Sequence, residues 1–588
     1  MAEKPKRPKK RRLRYPAVIF ITAFALACAY AAYALLLPSY KIVPFAEYHA
    51  GPGADGIAVV LEDEPLGAEY SARVIGGELP GAEYKSHIAD GGLYFPFCFV
   101  KDHIDEYIFW DGGANRLSVT TPSEVLYITA GDTEYFKNFR PAHMERAVVD
   151  IGGTAYIPDE FLTERCGIEI NYLPEHGIVT VDRAGEKTFS VVAAKKTRLR
   201  YEPDRRSPSS EILRAGAEVV TYGSQNGFIK VRAESGATGY VDERSLVYSR
   251  TERPEPRPEP RVWRPERDGR IVLAWDLVTN PDAASSPARR VADAGVNVVS
   301  PTWFEFDAES PGGEIMSLAD RGFVDWAHEN GIEVWALVSD GYSAAVSHAV
   351  LTETAKREHA VRQLTDLADE YGLDGINIDF EQVLCDDAPY FLQFLRELSP
   401  VLRERGVSLS VDLYVPEFTR YYNRAEITKV VDYICVMTYD EHAANSLVSG
   451  PVASLGFVEK GIAETLEEVP ADMVLMGVPF YNRVWREEET DGGVSVTQKS
   501  YSMDYGREIF DSRGAEFSWL GGDTGCNYAE YESNEEGDEA VYRIWLEDER
   551  SIAEKIKLID RYGLAGAACW RRGLESDGTW DVIARIHE

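Results

Sequence analysis

From Arg270 onward the chain alternates short β-branched runs with amphipathic helical stretches, and few architectures accommodate that alternation. The runs are IVLAW (271–275), VNVVS (296–300), EVWALV (333–338), GINIDFE (375–381), VSLSVDLY (407–414), DYICVMTY (432–439), MVLMGVPF (473–480) and GAACW (566–570). Most are separated by helical patterns such as Ala355-KREHAVRQLTDLADEYG. A connection long enough to hold a helix joins parallel strands, because antiparallel neighbours need only a tight turn. Eight such units in roughly 320 residues predict an α/β fold, a (β/α)8 TIM barrel over 268–588, with one insertion at about 482–545.

The fourth run carries the chemistry. In Asp374-GINIDFE, Ile376, Ile378 and Phe380 alternate with Asn377, Asp379 and Glu381. Side chains in a strand alternate faces, so the three polar groups share one face, with the two carboxylates roughly 7 Å apart at Cβ. A helix cap or a solvated edge strand does not account for two acids on an inward face. Carboxylates pointed into a barrel are costly unless they sit at its mouth or do work there. Such barrels keep their catalytic groups at the carboxyl ends of the strands.

That run resembles the DGxDxDxE strand of glycoside hydrolase family 18, the chitinase and endo-β-N-acetylglucosaminidase family, and the likeness spans the whole barrel. Met437-Thr438-Tyr439-Asp440 is similar to the family's MxYD. Gly477-VPFYNRVW is similar to its G-[IV]-P-x-Y-G-R-x-W, with Asn482 in place of the usual Gly. Trp545-LEDERSIAEKIKLI resembles the segment before the last strand, and Trp570 falls at the tryptophan of that strand. The resemblance implies a substrate-assisted retaining mechanism without an enzyme nucleophile. Glu381 is then the general acid, Asp379 holds the substrate's acetamido N–H, and Tyr439 donates to the acetamido carbonyl. Asp440 is a nearby polar contact, and Trp570 is either the floor under the sugar or a core aromatic. Asn377 stands where many chitinases have Asp, as in relatives that trim spore cortex or peptidoglycan. Losing that neighbouring charge is expected to let Asp379 ionise more readily. The implied substrate is a polymer of β-linked N-acetylglucosamine, with peptidoglycan favoured over chitin; a catalytically silent glycan-binding surface protein is the alternative.

The rest of the chain points to a surface-associated, modular protein. Residues 16–38 carry no charge and match the hydrocarbon thickness as a helix. Behind the basic tail 1–15 they predict a single-pass anchor in the cell membrane, with a cytoplasmic amino terminus and the bulk extracytoplasmic. Signal-peptidase cleavage near Ala27–Ala32, or a loose lipoprotein box at Ala25–Cys28, are the alternatives. Residues 42–185 are β-rich, with a weak repeat at Asp90-GGLYFPF and Ile151-GGTAYIPDEF. They resemble the amino-terminal domain of copper amine oxidases, although His87, His103, His143 and His176 lack ligand spacing. Residues 188–249 resemble a bacterial SH3 domain, a contact for wall glycans or peptides or a plain spacer. Arg250-TERPEPRPEPRVWRPER (linker 250–267) reads as polyproline II spanning roughly 50 Å.

The net charge of −35 excludes nucleic acid as a natural partner. Seven cysteines without CxxC or CxxxH spacing predict no zinc site and no disulfide scaffold, although a single bridge is left open. No phosphate-cradling loop is present, so no cofactor is implied.

Overall fold

The computed structural model describes residues 15–50, 57–75, 92–185, 188–252, 269–286, 289–310, 312–535 and 538–587. The basic tail, apart from its last residue, and nearly all of the proline-rich linker lie outside these, as do His87, Asp90 and Gly91. The expected membrane anchor is corrected. Residues Tyr15–Leu36 are helical, but among the described residues no helix is long and apolar enough to cross a membrane. The single-pass topology, the membrane contact and the cell-membrane location drawn from it are withdrawn with it.

The chain divides into two units. The first comprises residues 1–112, 129–134 and 143–259. Here the two copies of the weak repeat meet: Gly92–Pro96 and Thr154–Pro158 run antiparallel, with Ile157 opposite Phe95. Each copy ends in proline and turns into a short helix, Phe97–Phe99 or Asp159–Arg165. Residues 188–252 form a seven-stranded sheet with antiparallel pairings, closed over Leu199, Val219, Val231 and Val241.

The second unit comprises 113–128, 135–142 and 260–588. Its centre is a closed ring of eight parallel strands: β1 (Ile271–Asp276), β2 (Val298–Phe306), β3 (Glu333–Ser339), β4 (Gly375–Asp379), β5 (Ser408–Tyr414), β6 (Tyr433–Met437), β7 (Val474–Pro479) and β8 (Gly566–Trp570). β1 closes the ring by pairing with both β2 and β8. Each strand coincides with one of the runs read from the sequence. Two glycines permit the closure. A Cβ on Gly375 would meet the Trp335 indole at 2.5 Å, and one on Gly566 would meet the Ile271 carbonyl oxygen at 1.8 Å.

Outer helices bury one face each, as their apolar spacing requires. Thr354–Tyr371 buries Ala360, Val361, Leu364 and Ala368 and stops at Gly372 in the left-handed conformation. Glu549–Tyr562 starts in a capping box, Asp548 with Ser551. Between helices Thr354–Tyr371 and Ala388–Glu404 lies a fully buried Arg357–Glu397 ion pair at 3.1 Å. Glu397 also accepts from Gln393 at 2.8 Å and from the Tyr127 hydroxyl at 3.3 Å. Tyr127 belongs to the hairpin of Val125–Thr129 and Glu134–Lys137, whose neighbourhood adds an Arg116–Glu358 pair at 2.6 Å.

Between β7 and β8 the chain builds a five-stranded antiparallel sheet and the helix Met503–Ser512. Asn482 fastens its two ends: the Glu547 N–H donates to its amide oxygen at 2.6 Å, and its amide nitrogen donates to the Met503 and Glu547 carbonyls at 3.2 Å. The side chain that departs from the family's glycine is therefore a buried staple. All seven cysteines are unbridged, with Cys435, Cys526 and Cys569 buried.

Candidate active site

At the carboxyl ends of the barrel strands lies a cavity of about 210 Å³, lined from β1, β4, β5, β6 and β8 and from the segments that follow β3 and β7. It brings together Asp379, Glu381, Tyr439, Asp440 and Trp570, five of the six residues singled out in the sequence. The sixth, Asn377, lies one layer deeper and is fully buried.

Asn377 is held from four sides. Trp275 Nε1 and Ser300 Oγ donate to its oxygen at 2.9 and 3.1 Å. Its nitrogen donates to Ser410 Oγ at 3.0 Å and to Asp412 Oδ1 at 2.7 Å. Asp379, 7% exposed, has an Oδ1 without a hydrogen-bond partner among the described residues. Such an atom inside a protein is costly unless it awaits a donor.

Glu381 sits just past the end of β4 and accepts a hydrogen bond from the Tyr414 hydroxyl. The backbone after it is pinned by Asp340, which accepts from Gln382 N at 3.0 Å and from Ser347 Oγ at 2.5 Å. Tyr439 is buried, edge-on to Tyr481. Asp440 accepts from Tyr481 and from Arg483, the latter at 3.0 Å. Asp440 and Tyr342 both hold positive φ (59° and 55°) beside the cavity, where non-glycine residues are strained and functional sites concentrate such strain. Half-buried Trp570 stands edge-on to Trp275 at 6.0 Å.

Burial and mutual repulsion set the protonation states. Burial, then the charges of Asp412, Glu381 and Asp340, push the Asp379 carboxyl well above its usual range. Asn377 adds no charge of its own beside Asp379, but Asp412 on the neighbouring strand does. Burial raises Glu381 also, opposed by the Tyr414 hydrogen bond and reinforced by Asp340 and Asp440. Asp412 is pushed up to about 7 by burial, against the hydrogen bond from Asn377. A carboxyl whose proton affinity is raised by burial, at the mouth of a cavity, is placed to give a proton to a leaving group.

Sequence reasoning missed Trp275, Tyr342, Asp412, Tyr414 and Tyr481. Two of them were within reach: in Val407-SLSVDLY, Ser408, Ser410, Asp412 and Tyr414 alternate with Leu409, Val411 and Leu413, the same pattern as the fourth run.

Comparison with known proteins accords with this geometry. Residues 325–575 match the family described as Glycosyl hydrolases family 18, and 74–181 match Copper amine oxidase N-terminal domain. The chain is 29% identical over 328 residues to the putative sporulation-specific glycosylase YdhD of Bacillus subtilis, covering 53% of this chain and 73% of that protein. It is 25% identical over 324 residues to the uncharacterized glycosylase YvbX of the same organism, covering 52% and 89%. The Bacillus cereus spore cortex-lytic enzyme SleL structure aligns with a TM-score of 0.49 at 18% identity, covering 60% of this chain and 78% of that one. The protein is a glycoside hydrolase, family 18-like, of the N-acetylglucosaminidase or chitinase type.

Proposed function

We propose that the barrel cleaves β-linked N-acetylglucosamine polymers with retention of configuration, Glu381 acting as the general acid and the substrate's own acetamido oxygen as the nucleophile. The observation that carries this reading is that Glu381, its proton affinity raised by burial, shares one cavity with an oxygen of Asp379 that has no partner among the described residues. An acetamido N–H reaching Asp379 Oδ1 would satisfy it, and ionised Asp379 would then stabilise the oxazolinium charge. Tyr439 donates to the acetamido oxygen, orienting it toward the anomeric carbon, and Trp570 floors the sugar. Excluding water from these groups strengthens each interaction.

Peptidoglycan suits the site better than chitin. Beyond Trp570 the cleft continues into a groove of about 410 Å³, lined in part by Arg483 and Arg571. Arg571 has no carboxylate partner among the described residues, so the groove offers a cation to a carboxylate on a neighbouring sugar. A muramyl residue with a free lactyl group carries one; chitin does not. The seven-stranded module at 188–252, whose sequence resembles a bacterial SH3 domain, would hold the enzyme to the same polymer.

Two measurements test the mechanism. The first hemiacetal released should be the β anomer, and an oligomer with 2-hydroxyl in place of 2-acetamido should be inert. An α product, or equal turnover of the 2-hydroxyl polymer, would rule it out.

A further inference from the structure

We infer that Asp412 on β5 is the proton partner of Asp379: the two carboxyls share one proton, and Asp412 takes it when Asp379 engages the substrate's acetamido group. The inference rests on the reading of Asp379 given above and names a positioning residue that the reading lacks.

Strand register places the pair. β4 and β5 align in parallel with Asn377 opposite Ser410 and Ile378 opposite Val411. The next position on each strand is Asp379 and Asp412, on the inward face, with neighbouring strands about 4.8 Å apart. Both line the cavity, and they are 7% and 3% exposed. Two carboxyls at that spacing, out of water, do not both ionise; they titrate as one unit in two steps.

The donors around them are unequal, and that decides where the proton rests. Asn377 has its oxygen occupied by Trp275 and Ser300, which commits its nitrogen to Ser410 and Asp412. Cys435, opposite Asp412 on β6, adds its thiol. Asp379 Oδ1 receives nothing. The groups facing the pair are otherwise acidic or phenolic: Glu381 on the same strand, Asp340 after β3, Tyr342, Tyr414 on β5, Tyr439 and Asp440 after β6, and Tyr481 after β7. Arg483, which reaches Asp440 at the edge of this set, is paired with it. Before substrate arrives the negative charge therefore belongs on Asp412 and the proton on Asp379. Burial and the like charge of Asp412 hold the Asp379 carboxyl well above its usual range, which agrees.

The arriving acetamido N–H needs an acceptor, which protonated Asp379 cannot fully offer. One O–H bond breaks at Asp379 and one forms at Asp412, and the charge of the pair is conserved. Negative charge has then moved next to the carbon where positive charge develops, and product release returns the proton.

The test is kcat and KM against pH, on one N-acetylglucosamine oligomer, for the full chain, Asp412→Asn, Asn377→Asp/Asp412→Asn and Glu381→Gln, with melting curves for each. Asp412→Asn should lower kcat by ~100-fold with KM within about threefold, and remove one ionisation from the kcat profile. The double variant, which moves the carboxyl back to β4, should recover at least ~10-fold of that loss and restore the ionisation. A folded Asp412→Asn protein with kcat within about twofold and an unchanged profile overturns the inference, as does a folded double variant no better than the single. Should Asp412→Asn fail to fold, Asp412→Ser is read in its place by the same criteria. If hydrolysis depends on Glu381 while the Asp412 variants behave as wild type, only this inference fails; if Glu381→Gln keeps full activity, the underlying reading fails instead.

Discussion

Tyr414, at the end of β5, donates its hydroxyl to Glu381, just past the end of β4. The donor favours the carboxylate over the acid, so it opposes the burial that raises the Glu381 pKa. The proposed general acid is thus set between two opposing influences.

Removing that donor gives the first prediction. The raised Glu381 pKa means that the active, protonated form is present below it and is lost as pH rises through it. Tyr414→Phe takes away stabilisation of the anion, so the pKa rises further and the alkaline limb of kcat moves to higher pH. A pH–rate profile of the variant checks this; a limb that stays put or moves down counts against the assignment.

Gly477 on β7 supports Tyr439 from behind. A Cβ there would lie 2.6 Å from the Val436 carbonyl oxygen and 3.0 Å from Tyr439 Cε1. Gly477→Ala should displace the tyrosine and lower kcat by ~10-fold or more, because small misplacements of an orienting group are expensive. Crowding should also cost about 1–3 kcal/mol of stability. Steady-state kinetics beside a melting curve separate the two effects.

The buried Arg357–Glu397 pair makes a prediction about stability alone. Glu397→Ala leaves a guanidinium without its carboxylate and the Tyr127 hydroxyl without its acceptor. The expected loss is about 3–5 kcal/mol, read from denaturant unfolding, whereas losing one partner of a solvated pair costs under about 1 kcal/mol. A loss under 1 kcal/mol would show that water reaches the site.

Arg571 bears on substrate choice. Arg571→Gln should lower the ratio of kcat/KM on glycan with free lactyl carboxylates to kcat/KM on chitin oligomers by ~10-fold, the worth of one charge-assisted hydrogen bond. An unchanged ratio would remove the groove from the argument for peptidoglycan.

The barrel was legible because each of its strands is a short β-branched run followed by a helix-length gap, and because Gly375 and the Asp379–Glu381 alternation mark the fourth strand unmistakably. The site was legible only where acids stood out on an apolar strand. Asp412 and Tyr414 follow the same alternation in β5, where serine at 408 and 410 leaves a single acid on the polar face instead of the two that mark β4. Tyr342 lies in the turn after β3 and Tyr481 opens the strand Tyr481–Thr490 beyond β7, and patterns within the barrel strands are silent about both. Asp412 acts on Asp379 from across the register of a closed barrel, which a pattern read along one strand does not reveal. The amino-terminal segment misled because composition alone was taken to define a membrane span.

The central claim is that Glu381 delivers the proton that breaks the glycosidic bond. The direct measurement is release of reducing ends from purified peptidoglycan and from chitin oligomers by wild type and Glu381→Gln, each confirmed folded. The account predicts N-acetylglucosamine reducing ends from wild type and a loss of at least ~100-fold in the variant. Equal turnover by both proteins, or binding of glycan by both with no turnover by either, would contradict it.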